Sequence, residues 1–121
     1  MQPTNPPVNL GAAAAERPPD RLLGGRVIVG QPEDGYRVAI DAVLLAAAIT
    51  AAPGERILDL GCGIGSAALC LAWRESAVQI VGLDRETAFL DFARSNAIAN
   101  ARAERVNFET GRMTQRRAFG R

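Results

Sequence analysis

Residues 56–66 read Arg-Ile-Leu-Asp-Leu-Gly-Cys-Gly-Ile-Gly-Ser, and they are the strongest indication of the fold class. Its first five residues form a short apolar run that is typical of a buried β-strand, and glycines then occupy alternate positions. Alternate glycines let the backbone turn tightly, and they let a ligand approach where a Cβ atom would collide. Residues 66–74 have the composition of a helix. The sequence therefore predicts a strand, a glycine turn and a helix in succession.

The same alternation continues toward the C-terminus. Residues 78–83 are rich in β-branched side chains and predict a second strand, and residues 106–109 predict a third. Between them, residues 86–100 predict a helix, because apolar residues recur every four positions at Phe89, Ala93 and Ala97. Alternating strands and helices predict an α/β fold with a parallel sheet and right-handed crossovers.

Two smaller elements are predicted upstream of the glycine turn. Residues 22–29 predict a short strand or a hairpin around the pair Gly24-Gly25. Residues 40–52 predict a buried helix that ends before Pro53-Gly54, and Asp41 at its start is suited to an N-cap.

Composition sets the domain organisation. The chain has 121 residues, of which 48% are apolar, enough for one modest globular core. Residues 1–20 have few bulky apolar side chains, so we expect a disordered leader there. We place one partial domain at residues 21–113 and an unstructured tail at residues 114–121.

Charge and cysteine content exclude several classes of function. The 14 basic and 13 acidic residues nearly balance, so bulk charge does not indicate a nucleic-acid partner. Cys62 and Cys70 are the two cysteines and the chain has no histidine, so we expect no metal site and two buried thiols. No apolar stretch has the length of a membrane span, and we expect a cytoplasmic protein.

Two carboxylates mark the expected binding site. Asp59 precedes the glycines and is expected at the floor of the opening that they leave. Asp84 follows the second strand, and a carboxylate at that strand end can accept hydrogen bonds from both hydroxyls of a ribose. Because ligands of parallel sheets bind beyond the carboxyl ends of the strands, the sequence predicts a nucleoside pocket there.

The spacing of the glycines separates two kinds of nucleoside site. A dinucleotide fingerprint needs a glycine where this chain has Ser66, and here the third glycine falls one residue earlier. The pattern Asp-x-Gly-x-Gly-x-Gly instead resembles that of class I S-adenosylmethionine-dependent methyltransferases, which have a Rossmann-like fold. The resemblance implies S-adenosyl-L-methionine as cofactor, with Asp84 on its ribose. It also implies a group of residues around the methionine part: Asp59, Gly61, Cys62, Gly63 and Gly65.

The residues that precede the glycine turn indicate a particular group of methyltransferases. Residues 23–45, with Leu23-Gly24-Gly25-Arg26 and Gln31-Pro32-Glu33-Asp34-Gly35-Tyr36, are similar to bacterial methyltransferases that modify an adenine exocyclic amine in valine tRNA. This similarity implies a tRNA substrate for the intact enzyme. It also places Tyr36 and Asp41 near the methionine end of the cofactor, although a core role for Tyr36 and a helix-capping role for Asp41 are equally open.

Two departures from that group change the functional expectation. Relatives carry Gly-Asp where this chain has Gly111-Arg112, which puts adenine recognition in doubt. They also carry an Asn-Pro-Pro-aromatic motif after a fourth strand, and this chain ends at Arg121 before such a motif. We therefore expect the N-terminal half of a truncated fold, with no catalytic residue and no activity alone. We also expect self-association through the open edge of the first strand.

Two other classes of function stay open. A non-catalytic RNA-binding or assembly module is favoured by the C-terminal arginines Arg112, Arg116, Arg117 and Arg121. An NAD(P)-binding Rossmann module shares the carboxylate at the strand end, but Ser66 stands where its third glycine would be.

Overall fold

The N-terminal part of the domain is a β-hairpin. The computed structural model describes residues 18–33 and 40–111. Strands β1 (Asp20–Leu22) and β2 (Val27–Val29) pair antiparallel across a 3-10 turn at Leu23–Gly25, so a hairpin forms in the region where a strand or hairpin was predicted. Asp20, assigned to the leader from composition, pairs with Val29 in this hairpin. Residues 1–17 of the predicted leader, Tyr36, Arg112 and the predicted tail lie outside the described residues.

Helix α1 (Ile40–Ala48) ends four residues earlier than the sequence predicts, and the prediction that it is buried is wrong, because Ala46 is the one buried residue within these bounds. The guanidinium of Arg74 donates to the carbonyl oxygens of Ala46 at 2.7 Å and Ile49 at 2.5 Å. These carbonyls would otherwise lack partners at the helix end, so a distant arginine caps the helix here. Asp41 lies inside the first turn of α1, so its predicted role as N-cap is wrong.

Three strands and two helices follow: β3 (Arg56–Leu60), α2 (Ser66–Arg74), β4 (Gln79–Asp84), α3 (Thr87–Ala99) and β5 (Val106–Thr110). The three strands form a parallel sheet in the order β3-β4-β5. The sequence predicted β3 and α2 at the residues observed, and it predicted the other three elements to within one residue at each end. The register places Gly82 of β4 beside Phe108 of β5.

The core lies between this sheet and the helices. Helix α2 contributes a nearly continuous buried run, and α3 buries the face predicted from its four-residue spacing, with Ala93 and Ala97 enclosed. The β4–β5 contact is tight, because a Cβ atom on Gly82 would lie 2.6 Å from Cδ1 of Phe108. Strand β3 pairs with β4 on one side only among the described residues, and Leu58 and Leu60 are nearly half exposed.

Arg105 fixes α2 against the sheet. Its guanidinium donates to the carbonyl oxygens of Ala72 at 2.9 Å, Val78 at 2.9 Å and Glu75 at 3.2 Å. These carbonyls belong to the last turn of α2 and to the connection that enters β4. One side chain therefore satisfies the end of the helix and sets where the next strand begins.

Candidate functional site

The glycine turn has the geometry that the sequence predicts. Gly61, Gly63 and Gly65 all have positive φ, at 71°, 58° and 92°. A Cβ atom on Gly61 would meet nothing within 4 Å, whereas one on Gly65 would lie 2.8 Å from Cζ of Phe108. The first glycine thus leaves open space at the surface of the turn, and the third permits close packing against β5.

A cleft of about 310 Å³ opens beyond the carboxyl end of β3. It brings Asp41 of α1 together with Asp59 of β3, although the two lie far apart in the sequence. The rest of the lining comes mainly from the glycine turn and the first turn of α2. The lining residues are Asp41, Ala42, Leu45, Asp59, Leu60, Gly61, Cys62, Ser66 and Ala67.

Asp59 supplies a carboxylate without a partner. Its Oδ2 atom is buried and accepts no hydrogen bond from the described part of the chain. Burial first, and then the neighbouring charge of Asp84, raise the pKa of Asp59 from 3.8 to about 6. A buried carboxylate is costly unless a cation or hydrogen-bond donors meet it. The floor of the cleft is therefore suited to a positively charged group.

Ser66 supplies a second unpartnered atom. The residue is 3% exposed and its Oγ makes no hydrogen bond to the described residues. It begins the nine-residue helix α2, whose N-cap, Gly65, offers no side-chain hydrogen bond. The first N–H groups of a helix lack intrahelical partners and attract negative charge. Ser66 was not predicted as a site residue from the sequence, where only its place in the glycine spacing was considered, although a hydroxyl at the start of a helix was a usable signal.

Asp84 lies beside the glycine turn, as its place at the end of β4 predicts. Its Oδ2 accepts the Gly63 N–H at 2.8 Å, and its Oδ1 accepts the Glu86 N–H at 2.9 Å. The carboxylate therefore ties the turn to the start of α3. Each oxygen has two lone pairs, so one on each remains for a ligand.

The Cys62 side chain has a packing role. It is 7% exposed, and its Sγ lies 2.8 Å from where a Cβ on Gly82 would be. Burial, followed by the charges of Asp59 and Asp84, raises the pKa of Cys62 to about 12, so it remains a neutral thiol. Cys70 is also buried and unpaired, as expected.

Across residues 18–33 and 40–111, no three side chains of the metal-binding types come together as a metal site. Within the same residues, no helix has the length and apolar character needed to cross a bilayer.

Comparisons with known proteins show which proteins this chain is similar to. A family model described as "Methyltransferase domain" matches residues 51–118. A tRNA1(Val) (adenine(37)-N6)-methyltransferase of Yersinia pseudotuberculosis serotype O:3 is 40% identical over 105 residues, or 82% of this chain. The enzyme of the same name from Vibrio campbellii is 35% identical over 75 residues, or 62% of this chain.

Among solved structures, a similar one is an SAM-dependent methyltransferase from Geobacter sulfurreducens in complex with S-adenosyl-L-homocysteine. It is 31% identical with a TM-score of 0.53, covering 61% of this chain and 29% of that protein. The chain likewise spans 41% of the Yersinia relative and 31% of the Vibrio relative.

Proposed function

The chain belongs to the methyltransferase domain family, and we propose that it is the S-adenosylmethionine-binding part of an enzyme that methylates an adenine amine in tRNA. When bound, this cofactor supplies an electrophilic methyl group carried on a sulfonium. One observation carries the proposal: two residues that line the cleft beyond β3 each hold a buried polar atom that has no hydrogen-bond partner among residues 18–33 and 40–111. These atoms are Asp59 Oδ2 and Ser66 Oγ.

These two atoms match the two ends of an α-amino acid. The Asp59 carboxylate complements an ammonium group, and the Ser66 hydroxyl, at the N-terminus of α2, complements a carboxylate. Gly61 leaves open space beside them, where a side chain would obstruct a ligand. We therefore assign this cleft to the methionine end of the cofactor, with Gly63 and Gly65 shaping the turn.

The remaining assignments follow from position. Asp84 projects from the neighbouring strand end and holds the glycine turn, so it is placed to accept ribose hydroxyls with its free lone pairs. Asp41 lines the same cleft from α1, and we assign it to the methionine end as well. Cys62 contributes through its backbone within the turn, because its side chain is packed into the β3–β4 contact.

Calorimetric titration of the 121-residue chain with S-adenosylhomocysteine tests the cofactor assignment. We expect binding that Asp59→Asn weakens about tenfold, since a charged hydrogen bond is lost. Asp91→Asn, which removes an exposed carboxylate outside the cleft, is the matched control and should leave affinity unchanged. Absence of binding by folded protein, or equal binding of NAD, would contradict the proposal.

The assignment of tRNA as the substrate rests on the similarity of this chain to the Yersinia and Vibrio tRNA methyltransferases. The 121 residues contain no Asn-Pro-Pro-aromatic sequence after β5, the motif that would hold the adenine amine. We propose that these residues, assayed alone, bind cofactor without transferring its methyl group to tRNA. Transfer of a labelled methyl group to unmodified valine tRNA would overturn that statement. Salt-sensitive tRNA binding without cofactor would favour a non-catalytic RNA-binding module instead.

We also propose that the chain self-associates through β3. Leu58 and Leu60 are 49% and 44% exposed along this strand, and Leu44 and Leu45 of α1 are also exposed. Strand edges with unpaired backbone groups pair readily with other strands. In the proposed dimer, β3 of a second copy pairs antiparallel with β3 of the first, with the two-fold axis at Leu58. The two Leu58 side chains then meet, and the unpaired backbone groups of both strand edges form hydrogen bonds with each other.

A further inference from the structure

Two asparagines at the C-terminal end of α3 hold the N-terminal hairpin: Asn96 lies in the last turn and Asn100 is the C-cap. Asn100 accepts the Ile28 N–H on Oδ1 at 2.9 Å and donates from Nδ2 to the Ile28 carbonyl at 2.6 Å. One helical turn earlier, Asn96 accepts the Gly30 N–H at 2.7 Å and donates to the Gly30 carbonyl at 3.0 Å. The two carboxamides thus supply to β2 the hydrogen bonds that a neighbouring strand would provide.

Asn96 makes one contact that Asn100 does not. Its Nδ2 also donates to the carbonyl oxygen of Ile64 at 3.0 Å. Ile64 is fully buried between Gly63 and Gly65, and Asn96 is 4% exposed. Both amide hydrogens of Asn96 and its oxygen are therefore engaged, and the hairpin and the glycine turn share one buried side chain.

The position of the Ile64 carbonyl also fixes the orientation of the Gly65 N–H. A peptide unit is planar, so the Ile64 carbonyl and the Gly65 N–H rotate together. That N–H closes the turn by donating to the Cys62 carbonyl at 3.0 Å, and Gly65 precedes the first residue of α2. Glycines populate several backbone regions readily, so a glycine-rich turn needs an external contact to hold a single conformation.

We propose that Asn96 is a positioning residue for the methionine end of the cofactor. It holds the Ile64–Gly65 peptide, and through it the glycine turn and the start of α2, in the conformation that binds ligand. It also makes that conformation depend on the docked hairpin. This inference rests on the proposed function, because it assumes that the glycine turn contacts the cofactor.

The test compares Asn96→Ala with Asn100→Ala in the 121-residue chain. Both variants lose two hydrogen bonds to the hairpin, but only the first frees the Ile64 carbonyl. We expect Asn96→Ala to weaken S-adenosylhomocysteine binding about fivefold more than Asn100→Ala. Binding of 5′-methylthioadenosine, which lacks the amino-acid end, should differ little between the variants. If both variants weaken both ligands equally, the role of Asn96 is only structural and the inference fails.

Amide hydrogen exchange without ligand gives an independent readout. We expect Asn96→Ala to accelerate exchange in peptides that cover residues 61–66, and Asn100→Ala to leave that region protected. Equal exchange in the two variants would overturn the inference. If the wild-type chain fails to bind S-adenosylhomocysteine, the proposed function fails, while the exchange experiment still decides whether Asn96 holds the turn.

Discussion

Replacing Asp59 by asparagine should stabilise the ligand-free protein near neutral pH. Burial and the charge of Asp84 raise the pKa of Asp59 from 3.8 to about 6. The folded state therefore binds this proton more tightly than the unfolded state, so protonation favours folding. The stabilising effect is complete below about pH 4, declines as pH rises toward about 6, and is absent at neutral pH.

The magnitude follows from that difference in pKa. At 1.36 kcal/mol per unit, the rise to about 6 corresponds to about 3 kcal/mol, and partial exposure of Asp59 reduces this to about 2 kcal/mol. Asparagine has nearly the same shape without the charge, but its amide must also find hydrogen-bond partners. We therefore expect Asp59→Asn to raise the free energy of unfolding at pH 7 by about 1 kcal/mol.

Urea unfolding between pH 4.5 and pH 7.5 measures the effect. The wild-type chain should lose stability across this range, and Asp59→Asn should lose markedly less, with Asp91→Asn behaving as wild type. Affinity for S-adenosylhomocysteine should change in the opposite direction, falling below pH 6 in the wild type as Asp59 becomes protonated. Parallel stability profiles for wild type and Asp59→Asn, or a less stable variant at pH 7, would refute this reasoning.

Three further substitutions test the fold and the edge. Gly82→Ala places a methyl group 2.6 Å from a ring carbon of β5 and should cost about 2 kcal/mol in urea unfolding; an unchanged midpoint would contradict the tight contact. Arg105→Ala frees three carbonyls and should cost about 3 kcal/mol in thermal unfolding, whereas Arg102→Ala, with one long exposed bond, should cost little. Leu58→Glu should abolish dimers in sedimentation experiments and Ile98→Glu, on an exposed face of α3, should not; a monomeric wild type would rule out the edge contact.

The elements predicted best from sequence are those whose boundaries are set locally. Strand β3 lies between Pro53-Gly54 and the glycine turn, and α2 follows that turn directly, so nearby residues fix both elements. The end of α1 was not predictable in this way, because its cap comes from Arg74 on another helix. The docking of the hairpin likewise depends on side chains of α3, which are far away in the sequence.

The same distinction applies to the site. Strand ends and glycine spacing placed Asp59, Asp84 and the turn together, since parallel topology brings strand ends to one edge. Sequence could not show that Asp84 accepts the N–H of the turn, or that the Cys62 side chain faces Gly82. The role of the Ser66 hydroxyl could not be predicted from the sequence either, because its burial and its lack of a hydrogen-bond partner among the described residues depend on the assembled fold.

The unfavourable features of the domain are concentrated around the glycine turn. Within the described part of the chain, a buried carboxylate oxygen of Asp59 and the buried Ser66 hydroxyl have no hydrogen-bond partner, and the glycines of the turn are held at positive φ. All three features reduce the stability of the ligand-free state. The Arg105 contacts and the buried face of α2 lie outside the turn and offset this cost. A ligand that satisfies both unpaired atoms should therefore stabilise the turn most, and more strongly above pH 6, where Asp59 is ionised. Protection from hydrogen exchange on binding should accordingly be greatest at residues 59–66, at the junction of β3 and α2.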